Sequence, residues 1–200
     1  MNAKTIVAAI VLLVLIGVGW FYVQYKRQEA RFKGASEIAE ESFKKDGKIA
    51  TIKYVGVVNA PLDKVQEAVW GVEKSAGVIE SIKKAELMKQ EGDSKTVLMQ
   101  LQAGSLPLQQ FVMVFTLDAP NHAVKFKTTQ AQAADLEGTY SLEADGDKTL
   151  LTYEAVSTDK IPVPFPSGVI ESANREVFVN MIRGITKQAG GAPLPTKPAS

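Results

Sequence analysis

The chain has no cysteine and a single histidine, His122. Thiol nucleophiles, thiolate metal sites and disulfides are thereby excluded, as is any metal set or proton relay built on two imidazoles. Chemistry would have to come from carboxylates and tyrosines. Asp135, Glu137, Glu143 and Glu154 are the carboxylates of the last two strand candidates. Period-two alternation lets each point outward, away from a general-acid or general-base role. His122 follows Pro120-Asn121 in a turn, which favours an exposed loop histidine over a catalytic one. Tyr140 is the strongest polar candidate, because its ring can face an apolar cleft while its hydroxyl stays available. A tyrosine satisfied in a packed core accounts for the same residue. Arg175 and Glu176 have the chemistry to orient a ligand headgroup, yet exposed helix charges commonly contribute nothing measurable. The reading therefore assigns no catalytic residue, no metal site and no cofactor.

The elements that must position these residues follow from periodicity. Residues 49–59 (IATIKYVGVVN) are β-rich and end at Ala60-Pro61, where proline suits a first helical turn. Leu62, Val65, Ala68 and Val69 then take helical spacing, and a second short helix is expected over 73–79. Strand candidates follow at 82–89, 95–102, 109–117, 123–129, 135–143 and 149–158. Glu91-Gly92-Asp93, Gly104-Ser105, Ala119-Pro120-Asn121 and Asp145-Gly146-Asp147 separate them as turns. Phe111, Met113, Phe115 and Leu117 alternate onto one face, and Val124 and Phe126 alternate against Lys125 and Lys127. This is an antiparallel sheet with one buried face. Pro162, Pro164 and Pro166 form an extended connector, readable as a rigid link or as a gate at a cavity mouth. Ser167 is placed to cap a long helix whose apolar stripe includes Val169, Ile170, Ala173, Val177, Met181 and Ile185. A sheet this long must curl, and a helix lying across it leaves a cleft for a small apolar ligand.

Composition bounds the remainder. The 200 residues are 46% hydrophobic and 22% charged, with 23 Lys and Arg against 22 Asp and Glu, a net charge of +1. No global basic field exists, which argues against a nucleic-acid binder. Residues 5–23 (TIVAAIVLLVLIGVGWFYV) carry no charge and as a helix would span about 28 Å, close to a bilayer's hydrocarbon core. Trp20, Tyr22 and Tyr25 cluster at its end, where amphipathic rings favour the interface. The run is longer than the roughly 7–15 residues of a signal-peptide core, and no A-x-A-like site follows it. An uncleaved single-pass anchor is therefore expected over residues 1–23, in a bacterial inner membrane. Lys26, Arg27, Arg31 and Lys33 follow the span, and the positive-inside bias places the bulk of the chain in the cytoplasm. A periplasmic domain remains the alternative. Residues 24–48 read as a polar juxtamembrane linker, 49–189 as the domain, and 190–200 (GGAPLPTKPAS) as a disordered tail.

The run Asn59-Ala60-Pro61 with Val65, Val69 and Trp70 resembles the strand-to-helix opening of the START-like, or SRPBCC, superfamily. Gly138-Thr139-Tyr140-Ser141-Leu142, followed by Asp145-Gly146-Asp147 and the strand through Tyr153, is similar to its penultimate hairpin. The proline connector and long final helix complete the order, so the resemblance covers about 140 of the 200 residues. It implies an α+β helix-grip fold: a curved antiparallel sheet of about seven strands wrapped on a long C-terminal helix, here preceded by one transmembrane helix. It also implies a cavity for a hydrophobic molecule, a class running across the superfamily from lipids, sterols and quinones to polyketides. Some members are polyketide cyclases or dehydratases, and others carry ligand without chemistry. The candidate ligand-binding residues are Met99, Leu101, Phe111, Met113, Phe115, Phe126, Tyr140, Val177 and Met181. The favoured reading is a membrane-anchored binding module for a lipid, quinone or similar molecule, without catalysis. Two others stay open: a cyclase- or dehydratase-like enzyme, and a ligand-free envelope scaffold filled by its own side chains.

Overall fold

A computed structural model describes residues 20, 22, 23, 26, 27, 32–104, 106–162 and 165–194. Two strands open the chain order, β1 (Ile38–Asp46) and β2 (Ile49–Val58), followed by helix α1 (Leu62–Trp70) and a 3-10 turn (Val72–Lys74). Six strands come next: β3 (Ile82–Glu91), β4 (Ser94–Leu101), β5 (Gln109–Asp118), β6 (Ala123–Ala131), β7 (Ala134–Asp145) and β8 (Lys148–Asp159). Helix α2 (Ser167–Gln188) closes the domain. The eight strands form one sheet in the order β1-β2-β8-β7-β6-β5-β4-β3, with every neighbouring pair antiparallel. Six consecutive strands thus run as a meander, and β8 returns to pair with β2. The fold is α+β and matches the helix-grip arrangement, with eight strands rather than about seven.

Local chemistry explains the register. In the β1–β2, β3–β4 and β7–β8 hairpins the first of two loop residues is Gly47, Gly92 or Gly146, with φ of 55°, 54° and 64°. Glycine with positive φ at that position suits the type II′ turn, whose twist matches the flanking strands. Inward-facing Ile52, Tyr54, Val58, Val97, Phe115, Val124 and Leu151 build the core with Phe178 and Ile182 of α2. Two glycines let α2 approach closely. A Cβ at Gly56 would stand 2.8 Å from Ile182 and 2.9 Å from Phe178, and one at Gly184 would stand 2.4 Å from Ile79.

Several expectations are corrected. Within the expected 24–48 linker, residues 38–46 form β1, paired with β2 from Ile38↔Gly56 to Asp46↔Ile49. This edge strand is exposed at most positions, with only Ile38 and Phe43 packing partly on the core. It therefore lacks the apolar alternation by which strands are read. The helix expected over 73–79 shrinks to the Val72–Lys74 turn, and Gly77 (φ 80°) follows in a conformation that interrupts it. Ser167 is the first helical residue rather than the cap; Pro166 holds the boundary in extended conformation, and no side chain caps the helix. The expected tail begins docked: Asn59 donates from Nδ2 to the Ala192 carbonyl at 2.9 Å, and a Cβ at Gly191 would stand 2.0 Å from the Asn59 carbonyl oxygen. Among the described residues no helix is long and apolar enough to cross a membrane. The expected span at 5–23 lies outside the described residues apart from 20, 22 and 23, as do residues 195–200 of the tail.

Candidate functional site

A cavity of about 230 Å³ lies between the concave face of the sheet and α2. Eight of the nine candidate residues surround it: Met99 and Leu101 from β4, Phe111, Met113 and Phe115 from β5, Tyr140 from β7, and Val177 and Met181 from α2. Their inward direction follows from strand alternation, and α2 contributes one apolar stripe. Phe126 is the exception. It faces inward but stands behind Tyr140 and Tyr153, with ring centroids 4.9 and 5.7 Å away. Its ring fills the space beside Gly138, where a Cβ would approach Phe126 Cζ to 2.6 Å. An inward position on a curled sheet is not always a lining position.

Sequence reasoning missed several lining residues. Tyr153 is the most consequential, and a signal for it exists. The Asp145-Gly146-Asp147 turn pairs Asp145 with Lys148, a register that carries Tyr140 directly opposite Tyr153. On the other side of β8, Tyr153 pairs with Tyr54 of β2. Three tyrosines thus form one cross-strand row. Phe178 of α2 stacks on Tyr54 at 5.0 Å between centroids and leans on Tyr153 at 6.2 Å. Burial pushes the phenol pKa of all three upward; at Tyr153 the neighbouring Tyr140 and Tyr54 add to it, whereas at Tyr54 the Arg175 charge works against it. All three are therefore held as neutral hydroxyls.

Their hydroxyls differ in surroundings. Tyr54 Oη and Ser172 Oγ are sealed without a hydrogen-bond partner among the described residues. Tyr140 and Tyr153 line the cavity and are half-buried. No described residue hydrogen-bonds their hydroxyls, and these two are not among the sealed atoms.

The cavity has a polar and an apolar end. Lys45, Ser157, Asp159 and Asn174 gather where β1 and β8 end and α2 begins. Lys45 donates to the Asp159 carboxylate, and Asn174 donates to the Ile170 carbonyl at 2.8 Å. Val69, Val72 and Ile79, from α1 and the segment after it, close the other end. The one carboxylate on the lining is thus already paired with a cation. No group of three or more His, Asp or Glu residues that would suit a metal ion occurs among the described residues.

Outside the cavity, His122 sits in the β5–β6 connection with φ of 47°, its Nδ1 2.5 Å from Gln66 Oε1 of α1. Glu137, Glu143 and Glu154 are exposed on the outer face, and Asp135 is held below its ordinary pKa chiefly by the hydrogen bond from Lys160. Arg175 and Glu176, expected as exposed helix charges, are buried. Arg175 donates to Glu41 of β1 at 2.6 and 3.1 Å and to Glu171 at 3.0 Å, and Glu176 accepts from the Gly104 amide at 3.0 Å. They fasten α2 to the sheet instead of lining the cavity.

No family model matches the sequence, and no curated protein matches it. Solved structures do. The Zhui aromatase/cyclase from Streptomyces sp. R1128 superposes with a TM-score of 0.62 at 14% identity, over 71% of this chain and 94% of that one. A START superfamily protein from Mycobacterium smegmatis gives 0.60 at 18% identity, over 69% and 97%. A STAR-related lipid transfer protein from Xanthomonas axonopodis gives 0.54 at 16% identity, over 75% and 98%. At such identities the likeness shows the fold alone: this chain has the helix-grip arrangement that these structures share.

Proposed function

We propose that the protein is a membrane-anchored binding module that holds a small hydrophobic molecule between its sheet and α2, without catalysis. The observation that carries this reading is the cavity itself: about 230 Å³ of space walled by Met, Leu, Phe, Tyr and Val side chains under a helix. Protein interiors rarely leave voids much larger than a water molecule. Its size lies below the roughly 300–1,000 Å³ of drug-sized sites, so the ligand is compact. The neighbouring aromatase/cyclase and lipid transfer protein are consistent with an apolar guest. A non-catalytic role is supported by the Lys45–Asp159 pair, in which the one lining carboxylate is already engaged by a cation. The charge-free run at 5–23 supports single-pass anchoring in a bacterial inner membrane, and the cations after it favour a cytoplasmic domain. Anchoring would keep the cavity beside a reservoir of apolar molecules.

Native mass spectrometry on the full chain, purified from membranes in mild detergent, tests the binding reading. A retained small-molecule mass that is lost on Phe115→Asp or Met181→Asp is the expected result, with a folded spectrum for the variant. A bare protein mass that persists after incubation with membrane extract would overturn it in favour of a self-filled scaffold. Alkaline carbonate extraction tests the anchor. The full chain should stay in the pellet and a chain lacking residues 1–23 should not; release of the full chain rejects anchoring.

A further inference from the structure

We infer that the ligand is a neutral ring compound with a carbonyl oxygen, and that the Tyr140 and Tyr153 hydroxyls bind this oxygen as paired donors. The inference rests on the cavity-binding reading above and specifies its ligand class. The two tyrosines are direct cross-strand partners with ring centroids 5.3 Å apart and planes 30° from each other, so their hydroxyls leave the sheet side by side. Neither has a hydrogen-bond partner among the described residues, and both rings line the cavity. Two adjacent hydroxyls on a cavity wall without a partner among the described residues are donors free for a guest, and one acceptor in the cavity would serve both together.

Other polar groups on the lining are engaged elsewhere. Lys45 is paired with Asp159, Asn174 bonds the Ile170 carbonyl, and Ser75 bonds the Val72 carbonyl at 2.6 Å. Ser157 is the remaining hydroxyl. Tyr153 lies six residues before Asp159 on β8, about 20 Å along an extended strand, so the donor pair is remote from the Lys45–Asp159 ion pair. An acid head there would be a buried anion with no lining cation beside it, since Lys45 is at the other end. A carbonyl accepts two hydrogen bonds without charge. The aromatic wall behind the donors, Phe126 and Phe178 with the tyrosine rings themselves, suits a flat ring over a flexible chain.

The test uses the full chain in nanodiscs, with empty nanodiscs subtracted, and three probes in calorimetric titration: menadione, 2-methylnaphthalene and decanoate. Menadione and 2-methylnaphthalene share a methylated fused ring, and only the first has carbonyl oxygens. Menadione is expected to bind about tenfold more tightly than 2-methylnaphthalene, and decanoate more weakly than menadione. Tyr140→Phe and Tyr153→Phe should each weaken menadione about three- to tenfold, leave 2-methylnaphthalene unchanged, and together erase the preference. Unchanged thermal unfolding of the variants separates lost donors from lost structure. Equal binding of the two ring probes, tighter binding of decanoate, or menadione binding that survives the double variant overturns the inference and leaves the cavity reading standing. Failure of all three probes to bind overturns the inference as well, and the cavity reading falls with it only if the membrane-extract experiment also returns bare protein.

Discussion

Single residues set the character of the cavity. The tyrosine row illustrates how a side chain's electrostatics follow from its place in a sheet. Because burial raises the folded pKa of Tyr54, Tyr140 and Tyr153 above the ordinary phenol value of about 10, their contribution to stability is complete below that pH. It is lost as the pH climbs through the folded values, where the unfolded chain has already released its phenolic protons. Ultraviolet titration of the native protein should therefore show three of its five tyrosines resisting ionisation until alkaline unfolding, and ionisation of all five near pH 10 before unfolding would contradict this burial. Gly138 is equally specific to its place. A methyl there would stand 2.2 Å from the Glu154 carbonyl oxygen and 2.9 Å from Ala155 Cα, both backbone atoms. Gly138→Ala should cost about 3 kcal/mol in urea unfolding; a loss below about 1 kcal/mol would show that β7 and β8 can part at little cost. Tyr140 stands out in the sequence as a polar residue in an apolar strand. Tyr153 does so only when the turn register is used, and the close contact at Gly138 is invisible without the fold.

At the scale of elements, two fastenings hold the cavity walls. Lys95, buried on the inner face of β4, donates to the Trp70 carbonyl at 3.1 Å and to Glu73 at 3.0 and 3.2 Å, with Nζ 4.3 Å from the Trp70 ring centroid. It binds the C-terminal end of α1, where a cation also meets the negative end of the helix dipole, and so fixes the wall formed by Val69 and Val72. Lys95→Met should destabilise the fold by about 2 kcal/mol and increase amide exchange in α1 before that of the central strands. Uniform exchange across the domain would mean that α1 is held by apolar packing alone. The second fastening joins β1 to α2 through Arg175–Glu41 and Arg183–Glu37, each with a contact of 2.6 Å. Replacing both arginines with alanine should release β1 first, visible as faster exchange over 38–46 with β4–β7 unchanged. Retained protection there would assign the strand's stability to its ladder with β2. Neither partnership has a sequence signal, because each joins residues far apart along the chain.

For the whole molecule, ligand and fold are coupled through one core, since Tyr153 and Phe178 belong both to the packed aromatic row and to the lining. A ligand at a hundred times its Kd should add about 2.7 kcal/mol to the folding free energy and raise Tm by roughly 5–10 °C. Scanning calorimetry with menadione checks this, and an unchanged Tm at saturating concentration would mean that menadione does not bind the native state in preference to the unfolded chain. Much of this organisation is local in origin and so is legible in the residue order. Alternation at Phe111, Met113 and Phe115, glycines at hairpin turns, prolines after β8 and the apolar stripe of α2 each act within a few residues. Together they determine the strand–helix order, the inward face and hence eight of the nine residues read as cavity lining. What depends on contacts distant in sequence was decided by the tertiary structure. The edge strand β1 is held by pairing with β2 and by arginines on α2, not by an apolar pattern of its own. Phe126 stands behind the Tyr140 and Tyr153 rings and over Gly138, a placement set by neighbours on other strands. Lys45 of β1 meets Asp159 of β8 only because β8 returns to pair with β2, a closure whose driving force is burial of the whole inner face under α2.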